Sequence, residues 1–361
     1  MKKARIAILG QGRSGRDIHG AYIKKRPELY EVVAIVEPMA QRRERAAAEW
    51  PGAVIYADHA ELYGRTDIDL VVNATPSPLH VAVTMDLLAH GFNTLTEKPF
   101  ARYPYEVEQL IHESKKQGKL LAIFQQSRFC AYYQKMLEII ESGVLGRLVM
   151  VSARTNTYNR RWDWQTVQEN NAGTMLNTGP HPMDQALNVL GFPDPESVQI
   201  LSRLDKANTF GDAEDFAKVL LTAPGLPVLD YEVSCCDAYT PYIFHLQGTC
   251  GNFMCTTKDA KWRYFMPREA KEQKLILEPL CAEDGTPAYC SEQLTWYEEA
   301  WQADEQQADI FDDATDKLYR SVIAALFEGK DLVVTPEQVW CQISVMARVH
   351  EQNPMPRLKL F

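Results

Sequence analysis

The stretch that most constrains this chain is Gly10-Gln11-Gly12-Arg13-Ser14-Gly15. It follows the mostly apolar run Ala4-Arg5-Ile6-Ala7-Ile8-Leu9 and leads into a helix-compatible segment through Lys25. Such a run is what a strand buried on both faces of a parallel sheet looks like. Between strand and helix the three glycines have separate tasks. Gly10 permits the tight turn, Gly12 lets the backbone approach a pyrophosphate, and Gly15 lets helix and strand pack closely. The helix N-terminus then offers unpaired N–H groups and a positive dipole end to phosphates. The spacing predicts a dinucleotide-binding loop whose contacts are Gly10, Gln11, Gly12, Arg13, Ser14 and Gly15.

The residues beyond the loop point the same way. The strand Val32-Val33-Ala34-Ile35-Val36 ends at Glu37, a carboxylate able to accept from both ribose hydroxyls and to repel a 2′-phosphate. Arg42 and Arg43 lie just beyond and could receive that phosphate instead. NAD is the expected cofactor, with NADP left open. Asp69-Leu70-Val71-Val72-Asn73-Ala74-Thr75-Pro76 is the next strong strand, and Pro76 and Pro78 stop it with Thr75 at its carboxyl end. Thr75, Pro76 and His80 join the cofactor set; bonding of His80 to a neighbouring carbonyl at a helix start is an equal alternative. A helix from Val81 to His90 ends at Gly91. The short run Asn93-Thr94-Leu95-Thr96 then delivers Glu97-Lys98-Pro99-Phe100. A helix (Tyr103 to Gln117) and the strand Leu120-Leu121-Ala122-Ile123-Phe124 complete an alternating βα series. That order means a doubly wound parallel sheet, a Rossmann domain over residues 1–125. Ligands of such sheets sit outside the carboxyl ends of the strands, where Lys98 is a candidate proton donor and both Glu97 and Lys98 are expected to contact the cofactor.

At 361 residues a second domain, 126–361, is expected. Hydrophobic residues make up 46% and charged ones 24%, as in soluble globular proteins. The net charge of −10 argues against nucleic acid or an anionic membrane as a partner. No apolar run reaches bilayer-spanning length, and the basic start Met1-Lys2-Lys3 has no following h-region, so a cytoplasmic location is expected. Eight scattered cysteines show no paired zinc-ligand spacing; they read as reduced thiols, and no metal is expected.

The second domain opens with a strand, Arg147 to Arg154, followed by a polar and aromatic loop holding Asn156, Tyr158, Asn159, Arg160, Arg161, Trp162, Asp163 and Trp164. Tyr158, Trp162 and Trp164 offer aromatic faces to the C–H side of a sugar; the competing reading of each tryptophan is a packing anchor. Asn177, His181 and Asp184 stand at i, i+4 and i+7, one face if the segment is a single helix. Pro182 suits an early helical turn, so the helix is expected to start near residues 179–182. Beyond Gly191 the period becomes two, as in Val228-Leu229-Asp230-Tyr231-Glu232-Val233-Ser234-Cys235, which means an antiparallel sheet with one face on a core. Two amphipathic helices, Asp304 to Glu328 and Thr335 to Glu351, close the chain, with the acidic run 304–316 expected as a solvated face.

Taken together, Gly10 to Gly15, Ala74-Thr75-Pro76 with His80, and Glu97-Lys98-Pro99 resemble the Gfo/Idh/MocA oxidoreductases. The likeness continues through Ile140-Glu141-Ser142-Gly143-Val144-Leu145-Gly146, the segment from Asn171 to Asp184, and the helix around Leu318-Tyr319-Arg320. The resemblance implies a nicotinamide-dependent enzyme acting on a sugar, cyclitol or related polyol. It implies an α/β first domain joined to an α+β domain with a large, mostly antiparallel open-faced sheet that serves homo-oligomer contacts. It assigns catalysis to Lys98 and His181 and substrate contact to Asp184; Asn177 is expected as a third catalytic position and Arg128 as a further substrate contact. Where relatives often carry an aspartate, this chain has Asn177, which can hydrogen-bond but cannot take a proton. Two other readings keep the fold: a glycoside-processing enzyme that oxidises a sugar ring so a glycosidic bond can be cleaved, and a non-catalytic nucleotide sensor.

Overall fold

The computed structural model describes residues 3–358. Six strands, β1 (Ala4–Leu9), β2 (Tyr30–Val36), β3 (Val54–Tyr56), β4 (Leu70–Asn73), β5 (Thr94–Thr96) and β6 (Leu121–Ile123), form one sheet in the order β3-β2-β1-β4-β5-β6. Every pairing in it is parallel. The helical segments are a wide turn, Arg13–Gly20, running into α1 (Ala21–Lys24), then α2 (Ala40–Glu49), α3 (His80–Ala89) and α4 (Pro104–Gln117). The order reverses between β1 and β4, which opens the crevice where doubly wound sheets bind ligands. The turns after β1, β4 and β5, carrying the glycine loop, Thr75 and Lys98, open on that edge.

The second sheet has eight strands: β7 (Leu148–Asn156), β8 (Gln199–Asp205), β9 (Phe216–Thr222), β10 (Val228–Ser234), β11 (Phe244–Gly248), β12 (Gly251–Cys255), β13 (Asp259–Phe265) and β14 (Trp296–Gln302). Their order is β14-β13-β12-β11-β7-β10-β9-β8, antiparallel throughout except for the parallel pair β7 and β10. In β10 the alternation reads as expected: Leu229, Tyr231 and Val233 are buried in the second core, with Asp230 and Glu232 on the other face. Helices α5 (Ala131–Glu141), α6 (Thr174–Asn177) and α7 (Pro180–Val189) contribute Tyr133, Met136, Met175, Met183 and Leu187 to the same core.

The C-terminal helices tie the two halves together, and here the structure corrects two expectations. The segment 304–328 is two helices, α8 (Glu305–Ala308) and α9 (Ile310–Glu328), because the Asp309 side chain accepts from Asp312 N and caps a new start. The acidic run is only in part a solvated face. Asp312 pairs with Arg26 at 2.7 Å and Lys25 at 2.9 Å, Asp316 lies 2.8 Å from Arg26, and Asp313 is buried. These partly exposed pairs contribute about 0–1 kcal/mol each. Burial of Leu318, Tyr319 and Val322 in the first domain's core contributes more, at roughly 1.5–3 kcal/mol per apolar side chain. The last helix, α10 (Pro336–Gln352), lays Val339 and Ile343 against Val107 and Leu110 of α4.

Candidate active site

The glycine loop has the shape a dinucleotide requires. Gly10 has φ +88°, and a Cβ on it would lie 2.4 Å from the Ala74 carbonyl oxygen. A Cβ on Gly15 would fall 1.9 Å from Gly10 O, so strand and helix pack backbone to backbone. At Gly12 the nearest atom to such a Cβ is Arg42 Nη1 at 3.8 Å, which leaves the backbone open on the side where a pyrophosphate would approach. Glu37 is buried and accepts from Gln11 N at 2.7 Å and Met39 N at 2.9 Å. A carboxylate has about four lone-pair sites, so two remain for ribose hydroxyls. Arg43 donates to the carbonyls of Glu37 and Pro38, whereas Arg42 lies 3.7 Å from the Glu37 carboxylate and is the guanidinium better placed for a 2′-phosphate. Gln11 is buried with its Oε1 lacking a protein partner; Arg13 is exposed and Ser14 half-buried at the mouth of the loop. These residues fit a bound dinucleotide. Gly15→Ala should force β1 and the first helix apart, costing about 1–3 kcal/mol and weakening NADH binding, read by thermal unfolding and NADH fluorescence titration.

Beneath the expected nicotinamide end lies a buried polar frame. Asn73 Oδ1 accepts from the Thr75 hydroxyl at 2.7 Å, and its amide donates to His80 O and Thr84. His80 is itself buried, its ring nitrogens 2.7 Å from Pro99 O and 2.8 Å from Thr75 O. Of the two readings of His80, the carbonyl-bonded one is what the structure presents: the ring clamps two site loops and exposes no nitrogen. Glu97 is buried too, with Oε1 3.3 Å from His19 Nε2 and Oε2 accepting from Lys98 N at 3.1 Å. Burial would raise this carboxyl, but His19, Lys98 and His80 together hold it down to about 2. Glu97 therefore lies behind Lys98 as a fixed negative charge, and its carboxylate does not face the crevice. His19 Nδ1 meets Tyr319 OH at 2.7 Å, so α9 reaches the back of the site.

Lys98 Nζ donates to Asn177 O at 2.6 Å across the domain boundary. Burial pushes the Lys98 ammonium down, Glu97 opposes this, and Arg13 and Arg161 add to the lowering. The contact to Asn177 uses its backbone carbonyl, not the side-chain amide. The expectation of one helical face for Asn177, His181 and Asp184 fails because the segment is two helices, α6 ending at Asn177 and α7 beginning at Pro180. Pro180 and Pro182 lack the N–H groups that a continuous helix would use. His181 Nδ1 lies 2.6 Å from Gln125 Oε1. Burial and then the Lys98 charge push the His181 imidazole down to about 3, with Glu97 opposing. The unfolded chain takes up this proton near pH 6.5 and the folded one only near 3, so stability falls as pH drops through that window. His181→Asn should flatten this acid limb, which urea unfolding at several pH values between those limits would show.

Asp184 and Arg128 are not where substrate contacts would be. Asp184 is 0% exposed and bound by Arg128 through Nε at 2.6 Å and Nη2 at 2.9 Å, with Arg128 also donating to Gln338 and Val333 O. An i+3 position on a helix packed on both sides turns inward, and the pair ties α7 to the start of α10. The aromatic loop is the reverse case. Trp162 is 77% and Tyr158 61% exposed, and Trp164 is also exposed, so the packing-anchor reading fails for the tryptophans. Trp162 meets Phe210 edge-on at 6.2 Å between centroids. Gln125 was missed. Its place just past β6 on the carboxyl edge of the sheet was the signal that could have found it.

An open glycine loop with a lysine and an imidazole beyond it is the arrangement expected of a dinucleotide site, and comparison with known proteins points to an oxidoreductase family with such a fold. The model of the oxidoreductase family with an NAD-binding Rossmann fold matches residues 4–125, and that of the GFO/IDH/MocA C-terminal domain matches residues 133–254. The chain belongs to the Gfo/Idh/MocA family. D-glucoside 3-dehydrogenase of Escherichia coli is 30% identical over 54% of this chain and 56% of its own. The NADP(+)-dependent scyllo-inositol 2-dehydrogenase IolW of Bacillus subtilis is 27% identical over 57% of each. The chain thus spans a little over half the length of these relatives. The solved structure of GenD2 from gentamicin A biosynthesis, in complex with NAD, shares the fold, with a TM-score of 0.73 and 17% identity over 97% of this chain and 94% of that one. Among the described residues no helix is long and apolar enough to cross a membrane.

Proposed function

We propose that this chain is an NAD-dependent dehydrogenase acting at a hydroxyl-bearing carbon of a sugar, cyclitol or glycoside. The observation that carries this reading is the Lys98–Asn177 contact, which brings a first-domain ammonium to the chain three residues ahead of α7, where His181 stands. A bound dinucleotide would supply the hydride exchange at carbon. The protein's part is the oxygen and its proton. One Lys98 N–H is engaged by Asn177 O, and the others can donate to the substrate oxygen and stabilise charge developing there. His181, uncharged at neutral pH, can take the hydroxyl proton as the carbonyl forms. A screen for NADH formation on cyclitols, hexoses, pentoses and glycosides tests this. NAD binding without turnover on any of them would favour the sensor.

NAD is preferred over NADP on the strength of Glu37. A buried carboxylate at the ribose edge repels a 2′-phosphate, and like-charge juxtaposition costs several kcal/mol. Glu37→Ser, leaving Arg42 free, should move the NADP-to-NAD ratio of kcat/KM upward by at least about tenfold. An unchanged ratio would remove Glu37 from cofactor choice. The exposed Trp162 and its contact with Phe210 favour a glycoside over a free sugar, since such a rim can stack on a second ring. Trp162→Ala should then raise KM for glycosides and leave it unchanged for free hexoses. Self-association through the second sheet is also part of this proposal; a monomer by sedimentation at micromolar concentration would remove it.

A further inference from the structure

The His181 ring is held from behind by the buried amide of Gln125, which is in turn braced by a second buried amide, Gln342, more than 200 residues further along the chain. Gln125, 1% exposed just beyond β6, donates its Nε2 to Pro180 O at 2.9 Å and lies 3.4 Å from Gln342 Oε1. Gln342, 2% exposed on α10, donates its own Nε2 to the same carbonyl at 2.5 Å. A backbone carbonyl only accepts, so both NH2 groups must face Pro180 and the orientation of each amide is determined by the network. The Gln125 oxygen is thereby turned onto His181 Nδ1 at 2.6 Å. An oxygen with no hydrogen of its own requires Nδ1 to carry one, and the neutral ring then keeps its lone pair on Nε2.

We propose that Gln125, braced by Gln342 through the shared Pro180 carbonyl, is a positioning residue that locks His181 in the Nδ1–H tautomer, with Nε2 as the proton-accepting atom. This rests on the reading of His181 as the base. The choice of an amide has a consequence. A carboxylate behind the ring would stabilise the imidazolium, as in hydrolase triads, whereas an amide orients the ring without adding a counter-charge. The charges that bear on the ring are Lys98, which disfavours its protonation, and Glu97 behind Lys98, which opposes this. Gln125, which meets the ring from just past β6, and Gln342 of α10, which braces Gln125, are both neutral. The proton taken from substrate therefore sits on a weakly held site from which it can be passed on.

The test is 15N NMR of histidine-labelled protein, with the His181 signals assigned by their loss in His181→Asn. The wild type should show a protonated Nδ1 and an unprotonated Nε2 at neutral pH. Gln125→Leu, which removes the acceptor, should give a mixture of tautomers and lower kcat by about 10²-fold with a smaller change in KM. Gln125→Glu keeps an acceptor oxygen towards Nδ1 in either protonation state and should retain the tautomer. Gln342→Leu should loosen it in part, and serves if Gln125→Leu does not fold. A wild-type ring protonated at Nε2 overturns the proposal, as does a pure Nδ1–H tautomer in the leucine variants. The NMR signals need no substrate, so a locked tautomer in a protein without dehydrogenase activity would overturn the functional reading and leave the lock standing.

Discussion

Lys98→Ala should lower kcat by about 10²–10³-fold, the usual loss when a fixed donor to the developing oxygen charge is removed, while NAD affinity stays near its original value. The two readouts separate because different residues carry them. The dinucleotide would be held by the backbone from Gly10 to Gly15 and by Glu37, none of which touches Lys98 Nζ. The ammonium's partner is Asn177 O, on the substrate side of the cleft. Removing it also leaves Glu97 without its neighbouring cation, so Lys98→Arg is the control that keeps the positive charge, and Lys98→Met the one that keeps the apolar stem. Pre-steady-state NADH formation together with fluorescence titration of NADH reads both quantities. A parallel fall in affinity and turnover would make Lys98 a cofactor anchor.

Arg128→Ala should destabilise the protein by about 3–5 kcal/mol, because it strands the Asp184 carboxylate in the core with no cation. The pair is closed on both sides, with two bonds of 2.6 and 2.9 Å and side-chain exposures of 4% and 0%. Arg128→Met with Asp184→Leu should recover much of the loss, since an apolar pair of similar volume carries no desolvation cost. Urea unfolding of the two variants beside the wild type measures this. If Arg128→Ala instead keeps its stability and raises KM for substrate, the pair opens during turnover and the contact implied by the family resemblance is restored.

Much of the fold was legible because its signals are local. β1 and its glycine turn could be read from apolar run, spacing and the absence of side chains at three positions, and β10 from its period of two. The helix break at residues 178–179 was legible in principle, since Pro180 and Pro182 each remove a backbone donor, but the i, i+4, i+7 spacing suggested one helix and proved the weaker signal. The split at Asp309 was missed for a related reason. A capping aspartate inside an acidic run looks like any other member of the run. The docking of Asp312 and Asp316 on Arg26 could not be read at all, because the attraction joins residues almost 300 positions apart.

Sequence alone determined that a dinucleotide loop would sit at the head of a parallel sheet, with a lysine at the end of a later strand. Those features depend on backbone sterics and strand order, which short stretches of chain encode. Only the tertiary structure decided which polar groups face the cleft. Asp184 and Arg128 neutralise each other in the core, Glu97 and His80 turn inward to brace the loops, and Trp162 stays at the surface. Whether a side chain reaches solvent or a buried partner depends on what packs over it from distant parts of the chain, and no local pattern carries that information.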